Sequence, residues 1–131
     1  MNYLYISVTL FLGLLLPLQV GINTELARFI NSPVLAAFVS FAVGSICLLA
    51  SAVLLKIPLP AFGQVAAMPV WVWGGGLIGA AGVLGAIIVG PKIGVLALFG
   101  TLLIGQLIAS LFVDHFGWLG LSRMTLVSGK R

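Results

Sequence analysis

Apolar residues run almost unbroken along this chain, and the interruptions between the runs are short and sharp. A helix needs about 20 predominantly apolar residues to cross the hydrocarbon of a bilayer. Four runs meet that length, at about 3–27, 33–55, 69–89 and 93–113. Asn31-Ser32-Pro33 separates the first two. There Ser32 is placed to cap the second helix and Pro33 to occupy its first position, where the missing N–H costs nothing. Lys56-Ile57-Pro58-Leu59-Pro60 reads as a loop, since two prolines stop helix and sheet alike. Gly90-Pro91-Lys92 predicts a very short turn, and Asp114-His115 opens a polar tail over 114–131. The runs are continuous rather than alternating, which argues against barrel strands. The pattern predicts an all-α membrane protein, one integral domain over 1–131 with four transmembrane helices. The first run has no basic flank before it and no small-residue cleavage pattern after it, so it is expected to be a retained helix rather than a signal peptide.

Within the runs, the rare polar residues fall into stripes. Residues four apart share a helix face. Gln19 and Asn23 therefore form one stripe on the first helix, below Leu12, Leu15 and Leu16. Glu25 lies off that stripe and three residues before Arg28, a spacing that lets the two pair. Pro17 presses on the carbonyl of Gly13 and favours a local bend, which fits either simple packing or a hinge beside Gln19. The second helix gathers Ala36, Ala37, Ser40, Gly44, Cys47 and Ser51 into a band of small residues. The third opens with Trp71 and Trp73, suited to the lipid–water interface. It continues through Gly75 and Gly79, then Gly82, Ala86 and Gly90, spacings that let helices approach closely in lipid. The fourth carries Gln106, Ser110 and Asp114 on one stripe, and Thr101, Gly105, Ile108 and Phe112 on another side.

Two helices thus each bring an amide and a second polar group at the same spacing. A polar side chain in hydrocarbon needs a partner. Gln19, Asn23, Gln106 and Ser110 either bond to one another as glue between helices, at about 0.6 kcal/mol each, or line a cavity for a polar solute, with Ser40 and Trp73 as neighbours.

Composition sharpens the picture. Hydrophobic residues make up 62% of the chain and charged residues 6%, with a mean hydropathy of +1.31. Soluble domains carry about 25% charged residues, so this chain cannot cover a water-facing surface. The net charge of +4 comes from basic residues scattered at helix ends and in the tail. That pattern suits membrane flanks and not nucleic-acid binding. With Cys47 the sole cysteine, no disulfide framework or cysteine metal site can form in one chain; it reads as a small packed residue. No metal or cofactor is expected. Gly74, Gly76 and Gly79 satisfy G-x-G-x-x-G, but the dinucleotide motif needs a preceding strand and an acidic residue about 20 positions on, and position 96 is leucine in an oily run. Asp114 and His115 are adjacent and point about 100° apart on a helix, so they suit an anchor at the water edge better than a catalytic pair, and no enzyme is expected. The charges flanking the spans are nearly balanced between the two sides. Insertion in both orientations, with pairing to an inverted copy, is the expectation that follows. Four helices are also few to enclose a polar pathway, a second reason to expect a dimer.

Gln19-x-x-x-Asn23-x-x-Leu26, then Ser32-Pro33 with Ala36-Ala37-x-x-Ser40-Phe41-x-x-Gly44, resembles the first half of the YdcZ-type family of the drug/metabolite transporter superfamily. Trp71-x-Trp73-x-Gly75-Gly76, Pro91-x-x-Gly94, Gly105-Gln106-x-x-x-Ser110 and Asp114-His115-Phe116-Gly117 resemble its second half. The resemblance implies a multi-pass protein of the bacterial inner membrane, related to small multidrug-resistance exporters and paired antiparallel with itself or with a homologue. Two departures stand out. The family commonly continues into a fifth span, whereas 119–131 is too short and polar to cross. The small multidrug exporters place a carboxylate inside their first helix, and Glu25 sits near the end of its run, off the amide stripe. Glu25 and Asp114 are the ionisable candidates for coupling. The reading is a small-solute exporter working as a dimer by alternating access, with a small polar or weakly charged solute. The alternatives are a non-transporting assembly subunit and a passive channel.

Overall fold

A computed structural model of the protein describes residues 3–116. It is all-helical, with α1 (Tyr3–Ile30), α2 (Pro33–Leu54), a short α3 (Phe62–Ala66), a 3₁₀ turn (Val70–Trp73), α4 (Gly74–Ile93) and α5 (Val95–Phe116). Four helical stretches are long and apolar enough to cross a membrane: Tyr3–Ile30, Pro33–Leu54, Val70–Ile93 and Val95–Phe116. At about 1.5 Å of rise per residue, even the 22-residue α2 reaches about 33 Å, enough for a hydrocarbon core of about 30 Å.

The turn between α1 and α2 follows from three residues. Asn31 takes a left-handed backbone, φ 52°, which asparagine tolerates better than most side chains. Its N–H bonds to the Arg28 carbonyl, and the Ser32 N–H reaches back to that of Ala27 at 3.1 Å. Those two bonds make a Schellman motif that satisfies the end of α1. The Ser32 hydroxyl then accepts from the Leu35 N–H at 3.2 Å, and Pro33 starts α2. This is the expected cap. α2 ends in the same way one span later. Lys56 is left-handed at φ 54°, with Lys56 N–H bonded to Val53 and Ile57 N–H to Ala52. In the following loop, Gln64 accepts from the Ala61 N–H and opens α3.

Two boundaries differ from expectation. The third membrane helix does not turn at Gly90-Pro91-Lys92 but runs through Pro91 to Ile93. Proline here deprives the Ile87 carbonyl of its usual donor and crowds that preceding turn, losses that membrane helices absorb without ending. The break falls instead at Gly94, φ 86° and ψ 150°, a conformation essentially reserved for glycine. The polar pair Asp114-His115 lies within the last turn of α5 rather than beyond it. The polar tail from 117 onward, including Arg123, Lys130 and Arg131, lies outside the described residues.

The chain divides at Gly94 into two compact units. In the first, α1, α2 and α4 pack on one another. Their core is small and lies at the α1–α2 turn: Ala27, Ala36, Ala37 and Ile87, flanked by Leu26, Val83 and Leu84. Alanine dominates because lipid offers no hydrophobic gain between helices, so close approach supplies the contact energy. Ala86 and Gly90 are buried on α4, and Gly79 lets the Phe41 ring approach to 3.7 Å of where a Cβ would stand. α4 thus runs antiparallel to α2. The second unit is built on α5, whose Thr101 and Ser110 hydroxyls bond to carbonyls of the preceding turn. Cys47, expected to be packed, is exposed on α2.

Candidate functional site

Away from the alanine core, α1 and α2 part and leave a cleft of about 240 Å³ lined by Gln19, Ser40, Phe41, Gly44, Ser45 and Leu48. Two of the six, Gln19 and Ser40, are among the residues expected from the sequence to line a solute pathway. Helical spacing explains the rest. Ser40, Gly44 and Leu48 are successive four-residue steps on one face of α2, and glycine at the middle step leaves room.

Depth follows from helical rise. Counting from the turn at Asn31-Ser32, Asn23 and Ser40 each lie about 12 Å along their helices, Gln19 and Gly44 about 18 Å, and Leu48 about 24 Å. By the same rise Phe41 lies at about 13.5 Å and Ser45 at about 20 Å, so polar and apolar side chains alternate along the cleft. Asn23 is only 4% exposed and is the buried polar side chain among the described residues.

These polar groups have no partners of their own. Thr9, Ser51, Thr101 and Ser110 return their hydroxyls to carbonyls of the preceding turn, the ordinary refuge of a hydroxyl in an apolar helix. Among the described residues, no side-chain hydrogen bond engages Gln19, Asn23, Ser40 or Ser45, nor Ser7 and Thr24 toward the ends of α1. Gln19 alone offers an acceptor oxygen and two donors.

The other expected residues fall elsewhere. Trp73 ends the 3₁₀ turn ahead of α4, 57% exposed, and does not line the cleft. Gln106 and Ser110 are exposed on α5. Glu25 and Arg28 pair at 3.0 Å with both side chains largely exposed, as their spacing predicts. Asp114 is half-buried in the last turn of α5. Of the expected packing positions, Gly79 meets Phe41 and Ala86 is buried, while Gly44, Gly75, Gly82 and Gly105 have nothing within 4 Å of an added Cβ. Phe41, Ser45 and Leu48 were not among the expected pathway residues. Phe41 and Leu48 resemble any other lipid-facing residue in sequence, and Ser45 lies off the small-residue band.

Residues 4–130 match the model of the family described as "Putative inner membrane exporter, YdcZ". No curated protein and no solved structure matches the chain.

Proposed function

The chain belongs to the YdcZ family, described as inner membrane exporters, and from that premise we propose that the Gln19–Ser40 cleft is the solute site of a small-solute exporter. The observation that carries this is the cleft itself, where hydrogen-bonding groups without protein partners share a hollow within the span of lipid. Glue would be expected to bond helix to helix, whereas these groups do not. The small-solute permease is proposed to work as a dimer, with the Gln106 and Ser110 stripe lining the same pathway in the assembled pair. Rocking of the glycine-rich faces would then give access to either side in turn. Amides and hydroxyls suit a small polar or weakly charged solute because they offer donors and acceptors together.

The test is flux from liposomes that hold purified protein and a panel of polar solutes which the empty lipid retains. At least one solute should leave with saturable kinetics, at least tenfold more slowly with Gln19→Leu. Lost flux with intact assembly supports a site. The same loss accompanied by dissociation of the complex supports the assembly-subunit reading, and linear, unsaturable flux supports a channel. If no solute moves, the proposal fails.

A further inference from the structure

Resting on the reading of the cleft as the solute site, we infer that its ligand is an uncharged amphiphile, held by hydrogen bonds to Gln19, Ser40 and Ser45 with its apolar part along Phe41 and Leu48. The first support is the lining. None of its six side chains is ionisable, so nothing there can neutralise a charge taken out of water, and an unpaired charge in an apolar surround is strongly disfavoured. The second is that no described membrane helix carries a charge at mid-span that a further copy could bring to the cleft. The whole sequence holds two acidic residues. Glu25 is already paired with Arg28 near the end of α1, and Asp114 sits in the last turn of α5. The basic residues likewise lie at helix ends, in the loop or in the tail. Among the described residues, then, no carboxylate or ammonium lies at mid-span of a membrane helix.

The third support is the mixture of groups in the cleft. Gln19, Ser40 and Ser45 bring hydrogen-bonding groups without protein partners, and Phe41 and Leu48 supply apolar wall. A hydroxyl, amide or ether head would find both donors and acceptors there. Its hydrocarbon part would lie where lipid chains otherwise run.

Three probes that share a ring and chain length separate the possibilities: 2-phenylethanol, 2-phenylethylammonium and phenylacetate. Each is titrated into ¹⁵N-labelled full-length protein in nanodiscs of zwitterionic lipid, and backbone amide shifts are followed. The alcohol should shift Gln19, Ser40 and Gly44 saturably. Its apparent affinity should fall at least fivefold in Gln19→Leu and in Ser40→Ala. The two ions should give no saturable shift at those amides at tenfold the concentration. The inference is overturned by an ion that saturates there as tightly as the alcohol, by alcohol shifts spread over all lipid-facing amides without saturation, or by variants that bind as the parent does. If one variant does not fold, the three-probe comparison on the parent protein still decides. A charged solute whose flux Gln19→Leu abolishes would sink this inference and leave the transport proposal standing. Saturable alcohol binding without flux of any solute would do the reverse.

Discussion

Asn23 sits 4% exposed with no hydrogen bond to its amide, yet among the described residues no side-chain polar atom is both fully buried and unpartnered, so its amide keeps some access to its surroundings and escapes the full cost of burial. Asparagine is still a poorer helix former than alanine. Asn23→Ala should therefore raise the thermal midpoint in detergent, by an amount equivalent to about 0.5 kcal/mol, while lowering flux severalfold. A stable variant with unchanged flux would leave Asn23 outside the solute path. Glu25 is the contrasting case. Its pairing with Arg28 is surface-exposed on both sides, and such pairs contribute about 0–1 kcal/mol. Glu25→Gln should thus change stability by less than about 0.5 kcal/mol and leave flux within about twofold of the parent, a factor worth about 0.4 kcal/mol. A loss of flux beyond tenfold would instead make Glu25 a coupling group.

Positive φ marks three of the boundaries between helices, at Asn31, Lys56 and Gly94, and the last two residues differ in a way that fixes the sign of substitution. Lys56 pays for its φ of 54°, because a Cβ in that region crowds the following carbonyl at about 1–2 kcal/mol. Gly94 reaches φ 86° and ψ 150° without that penalty. Lys56→Gly should accordingly stabilise the protein by about 1 kcal/mol, and Gly94→Ala should destabilise it by about 1–3 kcal/mol. Since nothing lies within 4 Å of a Cβ built on Gly94, the second effect is conformational and not a clash. Thermal unfolding of the two variants in one detergent checks both signs. The sequence makes some of this plain and hides the rest for a physical reason. Ser32-Pro33 announces the start of α2 because side-chain capping and a fixed φ act locally. Pro91 misleads because proline disturbs the turn before it without obliging a membrane helix to end there, and α4 runs two residues beyond it. Gln19 and Ser40 are legible as polar positions on their faces. That α1 and α2 part beside them is not, since in lipid every outward position is apolar and periodicity no longer distinguishes a neighbour helix from a lipid chain.

One copy of this chain is mostly surface. Among the described residues, no more than 11% of the apolar stretch of any span is buried within it, and the hydrophobic core outside α5 consists of Ala27, Ala36, Ala37, Ala86 and Ile87. An exporter must shield a solute from lipid on all sides, and a cleft between two helices that opens outward needs a wall from elsewhere. The glycines of α4 bear on where that wall attaches. Gly79 is occupied by Phe41, whereas Gly75 and Gly82 meet nothing within 4 Å, although their spacing is that of close helix contacts in lipid. A side chain added at Gly82 would therefore be tolerated by the protomer and resisted only by another helix resting on it. Gly82→Leu should leave helical content and the thermal midpoint of the isolated chain unchanged in detergent, and in lipid it should weaken self-association at least tenfold, as measured by single-molecule photobleaching across a dilution series. Ala86→Leu is the contrasting variant. Ala86 is buried within the chain, so the added bulk should disturb the protomer itself, at a cost of about 1–3 kcal/mol. Should Gly82→Leu associate as tightly as the parent while Ala86→Leu unfolds, the proposed second copy does not rest on Gly82, and the wall of the cleft must come from a different face.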